Sequence, residues 1–256
     1  MPQAGQQAAA LVTGASRGIG AAVCEELLRA GRRVVASARD QAALRSMAER
    51  FPGRVAWVAA DLAQPGEAER LARAAEEAFG PLDEAVLCAG IVRYGAVGSI
   101  SETDLRAQLE VNFVAPFLLA QAVGGAMAAR GRGAIVLVAS TLGQRPAPLT
   151  AAYSAAKAAL LSATRSFAVE LAPAVRVNAL APGVVDTDMV RALREPPRPG
   201  ESQQRARARQ LEQLRQLHPL GRLGLPADVA AAAKYLLEAP WITGTVLTVD
   251  GGLTAS

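Results

Sequence analysis

The chain has 256 residues, a length that suits one large α/β domain with a substantial buried core. Half of it is apolar (51%), only 4% is aromatic, and the net charge at pH 7 is +4. This composition argues against a disordered chain and against a strongly basic nucleic-acid-binding protein. Cys24 and Cys88 have no metal-ligand spacing, so we expect neither a disulfide nor a metal site.

Short apolar runs typical of strands alternate with helical stretches along the chain. The predicted strands are Ala8–Thr13, Arg33–Ala38, Val55–Ala60, Ala85–Cys88, Ala134–Ser140, Arg176–Leu180 and Thr245–Val249. The predicted helices are Ile19–Ala30, Gln41–Phe51, Gly66–Phe79, Ser101–Arg130, Ala151–Ala172 and Pro226–Glu238. This alternation predicts one domain over residues 1–256, a Rossmann-type α/β fold with a doubly wound, seven-stranded parallel sheet and helices on both faces.

The N-terminal segment has no basic stretch followed by a separate apolar stretch, as a secretion signal would have. No apolar run reaches the ~18 residues that a membrane span needs. We therefore predict no membrane span and a cytoplasmic location.

A glycine-containing run, TGASRGIG, stands between the first predicted strand and the first predicted helix. Its three glycines allow a tight turn and a close approach of the backbone to a pyrophosphate. Thr13 is expected to order this loop. The predicted cofactor residues here are Thr13, Gly14, Ser16, Arg17, Gly18, Ile19 and Gly20.

The end of the second predicted strand indicates which cofactor is preferred. An acidic residue at this point would accept a hydrogen bond from the adenosine ribose 2′-hydroxyl, but the chain has Ala38 and then Arg39. Arg39 and Arg17 offer guanidinium donors to a 2′-phosphate. We therefore predict NADP(H) in preference to NAD(H). The alternative is that a shifted loop directs Asp40 at the ribose.

A candidate acid/base pair lies in AAYSAAKAAL, where Tyr153 and Lys157 are four residues apart. On a helix this spacing places both on one face, and a nearby cation is expected to lower the pKa of the phenol towards neutrality. Ser140 ends an apolar run, where a hydroxyl polarises a substrate carbonyl. By itself, a Tyr and a Lys at this spacing on an Ala-rich helix is more often a surface feature.

Together with Asn112 and the segment Ala181-Pro182-Gly183, these residues resemble the classical short-chain dehydrogenase/reductase family over nearly the whole chain. The resemblance implies that Tyr153 is the acid in reduction and the base in oxidation, and that Ser140 orients the carbonyl. It further implies that Lys157 holds the nicotinamide ribose and that Asn112 anchors a water in a proton relay, where a helix opens. The further cofactor residues it implies are Asp61, Leu62, Ala89, Gly90, Tyr153, Lys157, Pro182, Gly183 and Thr187.

Within the family, the pattern is most similar to the 3-oxoacyl-acyl-carrier-protein reductases, although Leu87-Cys88 replace the two asparagines of a family motif. We expect an NADPH-dependent reduction of a ketone, or the reverse oxidation. A 3-oxoacyl thioester, a sugar, a steroid and a polyketide all remain open as substrates. If the substrate is linked to a carrier protein or CoA, Arg130 and Arg132 form a candidate docking patch, and a solvated helix end is an equal alternative.

The segment 186–222 departs from the strand–helix alternation, with EPPRPG at Glu195–Gly200 followed by a charged helical run. Leu211, Leu214 and Leu217 give this run an apolar stripe, which predicts a packed helix that covers the substrate crevice as a lid. His218 has only a minor claim to a substrate role. Eight arginines in Arg191–Arg222 also suggest a second hypothesis, a non-catalytic NADP-binding regulator with a partner or nucleic acid on this surface.

The resemblance also implies a homotetramer or a homodimer that pairs through Ser101–Arg130, Ala151–Ala172 and the C-terminal strand. The sequence supports this, since the helix around Tyr153 is rich in alanine and the last strand is apolar for an edge that would otherwise be exposed. The alanines in question are Ala155, Ala156, Ala158, Ala159 and Ala163. We predict no nucleic-acid partner.

Overall fold

The computed structural model describes residues 7–192 and 197–255. Its seven strands form one parallel sheet in the order β3-β2-β1-β4-β5-β6-β7. The strands are β1 Ala9–Thr13, β2 Arg33–Ala38, β3 Val55–Ala59, β4 Glu84–Leu87, β5 Gly133–Val138, β6 Val175–Pro182 and β7 Val246–Val249. The helices are α1 Gly18–Arg29, α2 Gln41–Arg50, α3 Glu67–Phe79, α4 Glu102–Leu109, α5 Ala115–Ala129, α6 Ala151–Glu170, α7 Asp188–Arg191, α8 Gln203–Gln216 and α9 Pro226–Glu238. The predicted fold class is therefore confirmed.

The central strands are mostly apolar and buried because helices cover both faces of the sheet. All five residues of β1 are buried, as are all four of β4. The edge strand β7 is only half-buried throughout. The strand order reverses between β1 and β4, so the carboxyl ends of these two strands border a crevice at the topological switch point.

Two apolar layers hold the helices to the sheet. One layer joins α3, α5 and α6 to one face through residues such as Leu71, Leu119 and Leu160. The other joins α1, α2 and α9 to the opposite face through residues such as Leu27 and Leu236. Both layers leave the carboxyl ends of the strands uncovered, which is where the predicted site residues lie.

The fourth predicted helix, Ser101–Arg130, is not a regular α-helix. A π-helical turn at Glu110–Val114 separates α4 from α5. Pro116 explains the interruption, because proline has no N–H to donate to the carbonyl of residue 112 four positions earlier. The wider turn contains Asn112, whose side chain is fully buried.

The continuous helix Glu102–Ala129 is long and apolar enough to cross a membrane by length and composition. Half of its apolar window is buried inside the protein, where Leu119, Val123 and Met127 belong to the core. We therefore assign it as a core helix of the α/β domain.

The segment between β6 and α9 contains α7 and α8. Of the predicted EPPRPG stretch, Glu195 and Pro196 lie outside the described residues. Gln210 on α8 donates from Nε2 to the carbonyls of Val190 (3.0 Å) and Ala192 (2.9 Å), which fastens α8 to the end of α7. The predicted apolar stripe is partly wrong, since Leu214 is buried and Leu211 half-buried, while Leu217 is 52% exposed.

Candidate active site

The loop between β1 and α1 has the shape that its glycines predict. Gly14 and Gly18 have φ of +66° and +55°, values that favour glycine. A side chain at Gly14 would lie 3.1 Å from the Cα of Ala89, and one at Gly20 would overlap the Gly14 carbonyl oxygen. Thr13 ties this loop to β4, because its Oγ1 accepts from the Ala89 N–H at 3.1 Å.

The N-terminus of α1 is available to an anion. Its capping residue, Arg17, makes no side-chain capping bond, and the first turn contains no acidic residue. The N-termini of α2, α4 and α8 are capped by Asp40, Ser101 and Ser202. An uncapped helix N-terminus behind a glycine loop is a binding site for phosphate, so these residues fit a dinucleotide.

The position of Asp40 bears on the cofactor preference. Its Oδ1 accepts from the Ala43 N–H at 3.1 Å, so this carboxylate caps α2. Arg39 is exposed beside it in the same crevice. Arg17 is exposed too, with Nη1 3.7 Å from Asp188 Oδ2, and an ion pair of this exposure holds the side chain weakly.

The remaining predicted cofactor residues line the same crevice, a cavity of about 610 Å³. Asp61 and Leu62 follow β3, and Ala89 and Gly90 follow β4. Gly90 is tightly enclosed, because a Cβ there would lie 2.9 Å from Asn112 Oδ1 and 3.6 Å from Lys157 Nζ. Pro182 and Gly183 line a second, adjoining cavity, and Thr187 borders both.

The second cavity, of about 430 Å³, contains the candidate acid/base residues. Ser140 lies just beyond β5, while Tyr153 and Lys157 extend from one face of α6. The Ser140 hydroxyl lies close enough to the Tyr153 phenol to act on its pKa. Lys157 is buried, donates from Nζ to the Val138 carbonyl at 2.9 Å and lies 5.8 Å from the Tyr153 ring centroid. The structure thus brings the three residues together.

The expected lowering of the Tyr153 pKa is wrong for this structure. Burial raises the pKa of Tyr153 to about 12, against a smaller lowering by the Ser140 hydrogen bond. Burial also lowers the pKa of Lys157 to about 8. Desolvation is the dominant cause because both groups lie in the interior, and the Lys157 ammonium is directed at the Val138 carbonyl. At neutral pH Tyr153 is therefore protonated, the form that donates a proton.

Asn112 contacts the loop after β4 rather than Tyr153. Its Oδ1 accepts from the Ile91 N–H at 3.1 Å, and its Nδ2 donates to the Ile91 carbonyl at 2.8 Å. Sequence reasoning missed a second amide: Gln108 is fully buried, and its Oε1 accepts from the Arg93 N–H at 2.9 Å. Gln108 and Asn112 are four residues apart, and Pro116 follows at the same spacing. This spacing is the sequence signal that could have indicated Gln108.

The predicted docking patch, Arg130 and Arg132, lies away from the active site. Arg130 binds Glu76 (3.1 Å) and Arg132 binds Asp83 (3.1 Å), and both arginines immediately precede β5. They therefore lie at the amino edge of the sheet, opposite the site of the same chain, so they form no docking patch at its rim.

His218 is structural, since its Nε2 accepts from the Val184 N–H (3.3 Å) and its Nδ1 donates to the Leu214 carbonyl (2.8 Å). Cys88 borders both cavities, but burial raises the pKa of its thiol to about 12, which keeps it protonated and unreactive.

A glycine loop before an uncapped helix and a buried Ser, Tyr and Lys beside it define a dinucleotide-dependent oxidoreductase. Comparison with known proteins agrees with this class. The family model described as "Enoyl-(Acyl carrier protein) reductase" matches residues 14–254. Galactitol 2-dehydrogenase (L-tagatose-forming) of Cereibacter sphaeroides is 38% identical over 254 residues, which cover 96% of this chain and 95% of that protein. The 3-oxoacyl-[acyl-carrier-protein] reductase of Rattus norvegicus is 35% identical over 94% of this chain and 96% of its own.

Solved structures give the same result. A putative NAD(P)-dependent gluconate 5-dehydrogenase from Beutenbergia cavernae with bound NADP has a TM-score of 0.88 at 35% identity, covering 98% of each chain. A variant of actinorhodin polyketide ketoreductase with NADPH has a TM-score of 0.88 at 31% identity, also over 98% of each chain. The chain belongs to the short-chain dehydrogenase/reductase family and is an NAD(P)-dependent oxidoreductase that acts on alcohol and carbonyl groups.

Proposed function

We propose that the protein catalyses the NADPH-dependent reduction of a ketone to a secondary alcohol, with Tyr153 as the proton donor. The main support is the convergence of Ser140, Tyr153 and Lys157 in one buried cavity that adjoins the dinucleotide crevice. Protonated Tyr153 has the form that reduction needs at neutral pH.

The reaction assigns one task to each residue. Ser140 donates to the substrate carbonyl oxygen and polarises it, and Tyr153 donates its proton to that oxygen as charge develops there. The Lys157 ammonium holds the ribose hydroxyls. Bound NADPH supplies the hydride to the carbonyl carbon. Asn112 fixes the loop at Ile91, beside Gly90 and Lys157. As the resemblance to the family implies, it also anchors a water in a proton relay from Lys157 to solvent.

The preference for NADPH has two supports in the crevice. Arg39 and Arg17 are exposed there, and Asp40 is occupied at the N-terminus of α2. A 2′-phosphate would therefore meet guanidinium groups. A 2′-hydroxyl would find the carboxylate of Asp40 already engaged as the cap of α2.

The lid assignment of residues 186–222 rests on what this segment adds to the substrate cavity. It contributes Met189, Val190, Leu214 and Leu217 to the wall. The alternative function, a regulator with an Arg-rich contact surface, loses support from the same segment. Four of its eight arginines, Arg191, Arg209, Arg215 and Arg222, form ion pairs with neighbouring acids.

A homotetramer, or a homodimer, remains the proposed assembly. Ala155 and Ala158 are exposed on α6, and β7 pairs with β6 along only one edge among the described residues. Two of the predicted interface alanines, Ala156 and Ala163, instead pack into their own domain. Light scattering tests the assembly, since a particle of 26.4 kDa at micromolar concentration would contradict it. The cytoplasmic location stays a prediction.

The proposed activity is tested by following NADPH oxidation through the absorbance of the reduced cofactor. The compounds compared are simple ketones, 3-oxoacyl thioesters and an enoyl thioester. Turnover with a ketone supports the proposal, and turnover with the enoyl thioester alone would contradict it. Retention on DNA that weakens as the salt concentration rises, with no turnover of any carbonyl compound, would favour the regulator.

A further inference from the structure

The wall of the substrate cavity is apolar. Apolar side chains from five separate segments contribute to it: Val92, Leu142, Met189, Leu214, Leu217 and Leu253. They enclose the same cavity as the Ser140 and Tyr153 hydroxyls. Any group attached to the reacting carbonyl must therefore lie against hydrocarbon.

The hydroxyl groups of this wall, other than those of Ser140 and the tyrosines, already have partners inside the protein. Thr141 Oγ1 donates to the Pro182 carbonyl and Thr187 Oγ1 to the Val185 carbonyl, both at 3.2 Å. Thr254 Oγ1 donates to Asp250 Oδ2 at 2.7 Å. These threonine donors are therefore committed before a substrate arrives.

Two other polar side chains line the cavity, Tyr94 and Arg145, and both also interact within the protein. Arg145 Nη1 donates to the Leu253 carbonyl at 3.4 Å, which connects it to the C-terminal turn. Lys157 is directed at the Val138 carbonyl. Among the described residues that line the cavity, Ser140 and Tyr153 are the pair placed to meet one carbonyl oxygen, and apart from Tyr94 and Arg145 the rest of the wall is mainly apolar.

We propose that the physiological substrate is a ketone whose substituents are hydrocarbon, and that polyols and keto-sugars are excluded. This inference rests on the proposed ketone reduction. Each buried sugar hydroxyl without a partner costs affinity by roughly tenfold. Each buried methylene increases it by about fourfold. The cavity therefore separates this chain from its relatives named for galactitol and gluconate.

The test compares kcat/KM for straight-chain 2-alkanones from butanone to 2-octanone with kcat/KM for L-tagatose and 5-ketogluconate, all with NADPH. We expect an increase of about fourfold for each methylene until the cavity is filled. We expect the two keto-sugars to be at least about 100-fold poorer than 2-octanone. Keto-sugar turnover equal to that of 2-octanone, or no dependence on chain length, would overturn the inference.

Calorimetry separates a failure of this inference from a failure of the proposed function. Binding of 2-octanol and of galactitol is measured in the presence of NADP+. Tight binding of 2-octanol with no ketone turnover would reject the proposed function, although the cavity would still select hydrocarbon over polyol. Tighter binding of galactitol would reject the inference alone.

Two matched variants test whether the apolar wall causes the increase of kcat/KM with ketone chain length. Leu217 lines the cavity and is 52% exposed, while Leu220, three residues later, is 71% exposed and does not line it. Because both side chains are more than half exposed, we expect the fold to tolerate a polar residue at either position. Leu217→Asn is expected to reduce the gain per methylene by about half, whereas Leu220→Asn keeps the wild-type gain. The same chain-length dependence in both variants would contradict the assignment of this wall.

Discussion

The two cavities at the carboxyl edge of the sheet recognise their ligands by opposite means. The cofactor crevice presents glycine backbone, the uncapped N-terminus of α1 and the exposed side chains of Arg17 and Arg39. The substrate cavity presents hydrocarbon, with hydrogen-bonding groups concentrated at Ser140 and Tyr153. The crevice thus presents mainly hydrogen-bond donors and positive charge, and the substrate cavity mainly apolar surface.

This difference determines how the reacting groups behave. Burial raises the pKa of Tyr153 and lowers that of Lys157, because each then prefers its neutral form. A dry cavity also strengthens the hydrogen bonds that form to the carbonyl oxygen as charge develops on it. The apolar wall therefore contributes to the proton transfer as well as to the choice of substrate.

The largest effect is expected from Tyr153→Phe. This change deletes the one ionisable hydroxyl and keeps the ring, so turnover should fall by roughly 100- to 10,000-fold. NADPH binding, measured by fluorescence titration, should change little, because the crevice is untouched. A variant that keeps near-normal turnover would contradict the mechanism, and one that loses NADPH binding would mean that the two cavities are not separate.

The next largest effect is expected from Ala38→Asp combined with Arg39→Leu. The pair removes a charge-assisted donor to the 2′-phosphate, worth roughly 1.5–3 kcal/mol, and adds a carboxylate that repels it. The ratio of kcat/KM for NADPH to that for NADH should fall by roughly 10- to 150-fold. Ketone chain-length preference serves as the control and should not change. A wild-type ratio that already favours NADH would overturn the assignment.

The pH profile should show the ionisation of Lys157. Its pKa is lowered to about 8, so the charged form is lost as pH rises through that value. Above pH 8, kcat/KM for NADPH, which reports ionisations of the free enzyme, should fall about tenfold per pH unit. The contribution of Lys157 to the unfolding free energy changes with pH in the opposite direction to the activity. It rises from pH 8 to 10.5, because the unfolded chain binds the proton more tightly there.

These two trends distinguish the loss of charge from denaturation. Activity that falls while the circular dichroism signal is unchanged supports the assignment. A profile that stays flat to pH 10 would mean that the charge of Lys157 is not needed.

The smallest effect is expected from Gln108→Leu. The change removes the acceptor for the Arg93 N–H in the loop that carries Val92 and Tyr94 into the substrate cavity. We expect KM for the ketone to rise about two- to fivefold with kcat nearly unchanged, and the unfolding free energy to fall by about 1–2 kcal/mol. Gln108→Glu keeps an acceptor and serves as the comparison. A large loss of kcat instead of a change in KM would show that Gln108 acts on the proton relay.

The cofactor crevice was predictable because most of its parts are adjacent in sequence. The run Thr13–Gly20 contains the turn, the glycines and the start of α1, and each strand appears as a short apolar run. The spacing of Tyr153 and Lys157 likewise placed both on one helix face. A local sequence pattern is therefore enough to predict a site that is built mainly from the backbone of one continuous segment.

The substrate cavity was not predictable in the same way. Its wall combines Val92, Leu142, Leu214 and Leu253, which are far apart in the chain, and no local pattern connects them. The direction of the Tyr153 pKa shift also depends on burial, which spacing does not reveal. By contrast, the place of Arg132 followed from topology, since a residue just before β5 must lie at the amino edge of a parallel sheet.

The central claim is that hydride passes from NADPH in the crevice to a hydrocarbon ketone held against Tyr153. It is tested most directly with NADPH that carries deuterium at the reactive C4 position on either face, in separate reactions with 2-octanone. Mass spectrometry of the 2-octanol formed should show one deuterium on the carbinol carbon from one of the two cofactors and none from the other. Alcohol with no deuterium from either cofactor, or no alcohol at all, would contradict the account.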